Sequence, residues 1–331
     1  RGLVENEKNS FDGNWNGVEK NTQVESIDTA VNEAGQNVIT ANIVFPDAGN
    51  TKETIIYTIN GDGEVTVKMS VDARNSGMGN FIKIGSLMTL PEGFENVTWY
   101  GNGPVETFND RKTNARQGIY TSTVSDFFYP YLKVDDTGNL TDVKWMKIAN
   151  EGLNNALLVA AKDVVEASAL HFTPDDLNST DHIYGLTPRK ETIVNVGYGS
   201  LGTGGATCGP GPLSQYQLPS NKVYEWEFTL MPVASDADDK AVSDKAKAYR
   251  VVDSFDRTEY DKEQAAKLIE KIDSFVAYNY SQLEAAEKIL AEVNAMPEAQ
   301  AAIVGEERIA LAAQYVEDVK ALEGKETFIV D

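Results

Sequence analysis

The residue types and spacings best suited to chemistry lie in Trp99-Tyr100-Gly101-Asn102-Gly103-Pro104-Val105-Glu106-Thr107-Phe108-Asn109-Asp110-Arg111. Two carboxylates close in sequence invite acid–base work or glycosyl transfer to water, which needs carboxyl groups about 5–5.5 Å apart for retention or about 6.5–9.5 Å for inversion. Yet Asp110 directly precedes Arg111 and follows a Gly-Pro turn, an arrangement that suits an ion pair fixing a loop. Trp99, Glu106, Asp110 and Arg111 are therefore read as a structural motif, and no residue is assigned a catalytic role.

The two histidines, His171 and His182, raise a different chemistry, proton transfer near neutral pH of the kind an aldose epimerase performs. His171 sits in apolar Ala169-Leu170-His171-Phe172 and is read as a satisfied core or strand-end residue. His182 follows Ser179-Thr180-Asp181 in a loop, where ligand contacts concentrate, and is the better candidate to face a ligand. The run from Gly197 to Pro212 is rich in glycine but lacks the Lys-Ser or Lys-Thr ending of a phosphate loop and does not open a helix as a dinucleotide fingerprint would. It reads as a close-approach loop, and Cys208 within it has no basic neighbour to activate its thiol. Trp99, Tyr100, Phe127, Phe128, Tyr129, Tyr131 and Trp145 could stack on a sugar, but their strand-like spacing favours a core role.

The elements that must position these residues fall into two regions. With 29 basic against 51 acidic residues the chain carries a formal charge of −22, which repels nucleic acid and anionic lipid. One cysteine excludes an intramolecular disulfide, and two histidines leave few zinc ligands, so no metal or other cofactor is expected. No apolar run is long enough to span a membrane. The start at Arg1, without methionine, is read as an excised or processed form, with any secretion signal or catalytic domain upstream.

Residues 1–233 alternate as β-strands, clearest at 37–45, 55–59 and 64–71, with Asn60-Gly61-Asp62-Gly63 as a hairpin turn, and again at 156–161, 192–196 and 224–230. Many short strands without intervening helices predict a mainly β fold of stacked antiparallel sheets, with a barrel as the competing form. Residues 234–331 change to an Ala/Glu/Lys composition with helical period. Three apolar stripes, beginning at Leu268, Leu283 and Ile309, predict a three-helix bundle, with Ser281 and Glu284 as a capping box and Pro297 and Gly305 as breaks. From residue 235 onward, 22 acidic and 12 basic residues leave a net of −10, so the acidic charge is shared by both regions as solvated surface.

The opening segment resembles the Trp-x-Gly-x-Gly-Pro-x-Glu-Asn-Tyr-x-Asp-Arg motif of the C-terminal sandwich domain, or small chain, of family 2 β-galactosidases. The likeness continues in order through Tyr129-Pro130-Tyr131, Gly138-Asn139-Leu140-Thr141-Asp142-Val143-Lys144-Trp145, Ala169 to Leu177, Pro188-Arg189, and Gly204-Gly205 through Leu218-Pro219. Residues 1–7 also resemble the family's opening of this domain. The resemblance implies a galactose mutarotase-like supersandwich over residues 1–233. It also implies a catalytic barrel upstream that supplies both catalytic glutamates, and a β-galactoside or related carbohydrate as substrate.

By the same resemblance, Asp135, Asp136, His182, Gly204, Gly205 and Cys208 fall at positions that face the sugar pocket. Several depart from the family pattern. Asp135-Asp136-Thr137 stands where the family has Gln-Glu-Asn, His182 and Tyr184 replace paired histidines, and the Gly204–Gly209 loop lacks the family tryptophan that stacks on sugar. The helical part, around Val276 to Glu287, resembles FIVAR modules of Gram-positive surface proteins. An extracellular or cell-surface location is expected, with the cytoplasm as alternative. The leading expectation is a non-catalytic part of a retaining glycosidase that covers the barrel's active-site mouth; the rivals are a stand-alone carbohydrate-binding or architectural module and an aldose 1-epimerase.

Overall fold

The computed structural model describes Trp15 and residues 17–204, 211–251 and 257–325; Gly205 and Cys208 lie outside the described residues. The chain divides into two compact units, Arg1–Val252 and Asp253–Asp331.

The first unit holds β1 (Gln23–Val31), β2 (Asn37–Phe45), β3 (Thr51–Ile59), β4 (Val65–Asp72), β5 (Lys83–Leu90) and β6 (Asn96–Gly103). These are followed by β7 (Arg116–Thr123), β8 (Leu140–Asn150), β9 (Asn155–Leu170), β10 (Thr192–Ser200) and β11 (Val223–Val233). They pair antiparallel in the order β1-β2-β3-β4-β11-β9-β8-β6-β7, and β10 joins β9 to β5. The 16-residue β9 makes the branch possible, because residues 156–161 pair with β11 while residues 166–170 pair with β10. Among the described residues the path ends at β1 and β7 rather than closing on itself, so the fold is the mainly β, sandwich-type architecture and not the barrel.

Strand periodicity places the core. Val67, Met69 and Val71 of β4 and Tyr224, Trp226 and Phe228 of β11 alternate with polar neighbours and point inward against Ile84, Val97, Val194 and Val196 from the other wing. Burying side chains such as Phe228 and Ile148, at 1% and 0% exposure, contributes roughly 1.5–3 kcal/mol each. The predicted turn after β3 forms, with the Asn60 N–H donating to Glu64 O at 2.9 Å and Gly63 at φ +85°. Strand β6 escaped the sequence pattern because its glycine-rich end, Gly101-Asn102-Gly103, is buried on both faces.

Two short helices, α1 (Val124–Phe127) and α2 (Pro174–Asn178), close loops between strands. Helix α3 (Asp239–Val251) lies beyond residue 233 yet belongs to the first unit. Its Val242 and Ala246 cover Trp145, Leu158, Ala160 and Met231, the apolar outer face of β8, β9 and β11. Lys147 donates to Ser235 O at 3.2 Å and Ala237 O at 2.7 Å, fixing the connection into α3.

The second unit contains α4 (Arg257–Ser274), α5 (Leu283–Ala295), α6 (Glu298–Val304) and α7 (Glu306–Lys320). Leu268, Ile272, Ile289 and Val293 share a core against which Ile309 packs, and Val316 and Val319 are buried with Ala286, so the three predicted stripes do meet, although Ala313 of the third is exposed. The cap before α5 is not Ser281: Asn279 and Gln282 form the capping box, and the Ser281 N–H donates to Asn279 Oδ1 at 2.8 Å. Asparagine accepts at least as well as serine at a cap, and here it sits two residues earlier. Pro297 and Gly305 bound the additional short helix α6.

Candidate functional site

The motif at the end of β6 is a clamp. Trp99 is buried against Tyr120 and Phe127, with ring centroids 5.5 and 5.3 Å away, and its indole donates to Asn102 O at 3.0 Å. That anchor fixes the strand end from which the Glu106 loop departs. The Glu106 carboxylate accepts from Arg111 Nη2, the Tyr131 hydroxyl and the Gly138 N–H, the last at 2.9 Å. Arg111 also donates to the Tyr131 hydroxyl at 3.2 Å and lies 4.9 Å above the Phe108 ring. Gly138 adopts φ +69° with Phe127 O close by, a position where a side chain would be both strained and obstructed.

Asp110 turns the other way. It accepts the Thr203 N–H at 2.8 Å, the Thr203 hydroxyl at 3.1 Å and the Gly204 N–H at 2.5 Å. Burial pushes its carboxyl up, but these N–H donors and the hydroxyl outweigh burial and hold it below the usual carboxylate range. Gly202 permits the approach, since a Cβ there would stand 2.9 Å from the Asp110 carboxyl carbon. Glu106 and Asp110 thus serve two different loops, and a carboxylate committed to several donors is a poor general acid or base.

The same network gathers most of the predicted pocket residues. Asp135 accepts the Asp136 N–H at 2.8 Å, Asp136 accepts the Thr137 N–H at 3.1 Å, and Lys83 Nζ stands 3.4 Å from Asp136 Oδ2. The Val134 N–H donates to Asp181 O at 3.2 Å, and Lys133 pairs with Asp181 at 3.4 Å, which brings the His182 loop beside the Asp135 loop. His182 is exposed and stacks on Tyr184 at 5.0 Å and 16°. Gly204 is held across the clamp by Asp110. Exposed Tyr129 and half-buried Tyr131 pack at 4.6 Å on the Glu106 side, so these two expected aromatics are not core, whereas Trp99, Phe127 and Trp145 are.

Sequence reasoning missed Glu166. It lies within β9, is 6% exposed, and accepts from Ser200 Oγ at 2.7 Å and Asn139 Nδ2 at 3.1 Å. Burial pushes its carboxyl above the ordinary range, against the pull of the Ser200 hydroxyl, Lys83 and Asn139. The available signal was a single acid inside the otherwise small and apolar run Val164 to Leu170.

His171 does not form an acid–base site with open valence. Its Nε2 contacts Glu95 Oε2 at 2.8 Å and its Nδ1 contacts Glu191 O at 3.0 Å, so both ring nitrogens are engaged. It lines a mostly apolar cavity of about 200 Å³ with Val124, Phe128, Phe172, Ile183 and Leu186. Among the described residues no cluster of His, Cys, Asp and Glu has the arrangement to hold a metal ion.

Comparison with known proteins follows the motif order. A family model described as "Beta galactosidase small chain" matches residues 1–230. A beta-galactosidase of Priestia megaterium is 34% identical over 180 residues, covering 54% of this chain and 17% of that protein. One from Streptococcus thermophilus is 24% identical over 190 residues, covering 57% and 18%. Beta-galactosidase BgaC of Bifidobacterium adolescentis is 27% identical over 202 residues, covering 59% and 19%. The aligned region is therefore less than one fifth of each of these relatives.

Among solved structures, the GalM/aldose epimerase homologue from C. elegans superposes with a TM-score of 0.34 at 12% identity, covering 63% of this chain and 69% of that one. A galactose mutarotase related enzyme from Lactobacillus acidophilus gives 0.30 at 11%, covering 63% and 72%. Superposition at that level bears on no residue of the site. The sequence match is what decides: over residues 1–230 the chain belongs to the beta-galactosidase small chain family.

Proposed function

We propose that this chain is a non-catalytic part of a family 2 β-galactosidase-type glycoside hydrolase. In this reading it covers the mouth of a catalytic barrel elsewhere in the polypeptide and lends the rim around Asp135, Asp136, His182 and Gly204 to the carbohydrate pocket. The observation that carries it is the commitment of the motif carboxylates: Glu106 and Asp110 each hold a separate loop, and buried Glu166 is tied to Ser200 and Asn139. A chain whose conspicuous acids are spent on scaffolding supports a role in shaping a pocket while proton transfer occurs on other residues.

The exposed His182–Tyr184 stack and the Tyr129–Tyr131 pair offer aromatic surface beside Asp135. Such faces suit the apolar faces of a sugar ring, with the aspartates as hydroxyl acceptors. Calorimetric titration of the chain with galactose and lactose tests the rim. Millimolar or tighter binding that weakens in His182→Ala supports a sugar-facing role, and absence of heat favours a purely architectural one.

A further inference from the structure

Among the described residues, the inner face of the sheet extends beyond the layer that covers it. Directly paired residues of antiparallel strands share a face, so the core rows can be followed outward from β11. Trp226 and Met69 are buried, Ile55 and Ala41 beside them are half-buried, and Ile27 at the edge is 64% exposed. The next row runs from buried Phe228 and Val67 through half-buried Tyr57 and Ile39 to exposed Thr29. A third runs from buried Tyr224 and Val71 through Glu53 and Ile43 to Val24, which is 58% exposed.

The opposite face of these strands carries the polar pattern of a solvent surface. Ser26, Asn42 and Thr54 form a hydrogen-bonded ladder across it, with contacts of 3.0 Å each. The more apolar side of β2 and β3 is thus the inner one, and among the described residues no layer covers its outer part. Contiguous apolar faces of this kind on soluble proteins mark interaction surfaces.

Three observations select the occupant. The aligned relatives continue for more than four fifths of their length outside the matched region, so a large partner in the same polypeptide is available. A second copy of this chain would bring another −22 of charge to the contact. The β1 edge itself is blunted by Glu25, Asp28 and a bulge between Val24 and Ser26, which disfavours strand addition between copies.

The geometry points to the inner face of β1, β2 and β3, centred on Ile27, Ile39 and Ile43, as the seat of an apolar surface from another domain of the same polypeptide. This rests on the reading of the chain as part of a longer glycosidase. Glu53, half-buried at the third row with its carboxyl pushed up by burial, is the polar group such a partner must meet.

Carbene footprinting of the 331-residue chain and of the longer polypeptide, each at several concentrations, tests the seat. Labelling of Ile27, Ile39 and Ile43 is expected to fall at least about fivefold in the longer protein, as accessible surface is lost. Equal labelling in both overturns the proposal, and so does concentration-dependent protection of the 331-residue chain alone, which would make a second copy the occupant. Ile27→Asp gives an independent check: it should leave the unfolding midpoint of the 331-residue chain unchanged and lower that of the longer protein, and an equal effect in both contradicts the seat. β-Galactoside hydrolysis by the longer protein is read separately. Protection without hydrolysis sinks the functional reading and keeps the seat, whereas hydrolysis without protection does the reverse.

Discussion

Glu106 accepts the backbone N–H of Gly138 at 2.9 Å, across 32 residues of chain. The same carboxylate takes Arg111 and the Tyr131 hydroxyl, so one side chain closes the motif loop onto the loop that carries Asp135 and Asp136. Replacing it should cost stability before it costs anything else. Glu106→Gln leaves an amide among donors and removes the charge opposite Arg111, and is expected to destabilise the sheet unit by about 1–3 kcal/mol. All four tryptophans lie in that unit, so urea unfolding followed by tryptophan fluorescence reads it without interference from the helical unit.

Glu166→Gln should behave in the opposite sense. A carboxyl whose folded pKa is raised contributes stability that is present below its unfolded pKa and lost as pH rises through the folded value. The glutamine keeps an acceptor for Asn139 and Ser200 without the cost of a buried charge. It is expected to leave stability at pH 7–8 unchanged or raise it by about 1–2 kcal/mol, and to flatten its dependence on pH above the ordinary carboxylate range. Urea midpoints measured from pH 4 to pH 8 provide the check.

Asp110 has the depressed folded pKa, so its contribution is present above the unfolded value near about 3.9 and is lost as pH falls through the folded one. Glu95 and Asp176 are shifted the same way and share the acid-side loss. Asp110→Asn should therefore lower stability at neutral pH and reduce, without abolishing, its fall toward pH 2. An unchanged acid limb would separate Asp110 from the clamp.

Gly202→Ala tests the close approach of the two loops. Its new methyl would stand 2.8 Å from Tyr216 Cβ and 2.9 Å from the Asp110 carboxylate, so backbone must move. A loss of about 1–3 kcal/mol is expected, with slower or weaker sugar binding if the Gly204 loop reaches ligand. Thermal unfolding and the titration with galactose read the two effects apart.

Much of this was legible in the chain itself. The alternation in 37–45 and 64–71 and the Asn60–Gly63 turn were visible because one face of each strand is apolar and the turn residues are specific to hairpins. β6 and β9 were not fully readable, since strands buried on both faces lose the period-two signal, as 165–170 of β9 does. The scaffold reading of Asp110 and Arg111 was available from the Gly-Pro turn, but the identity of their partners was not. Arg111 pairs with Glu106 rather than with adjacent Asp110, which instead reaches Thr203 and Gly204, nearly a hundred residues away. Glu166, Lys83 and Asn139 converge only through strand register, which no local pattern encodes. Residues 239–251 were assigned with the helical region by composition, and their helix was not among the three stripes; the apolar outer face of Trp145 and Leu158 recruits helix α3 to the sheet.

The most direct test of the central claim is hydrolysis of a chromogenic β-galactoside by this chain alone, followed beside the longer polypeptide under the same conditions. No turnover above buffer by the chain, with turnover by the longer protein, is the predicted result. Turnover by the chain alone that disappears in Glu106→Gln or Glu166→Gln would contradict it and make the clamp carboxylate or the buried β9 acid catalytic after all.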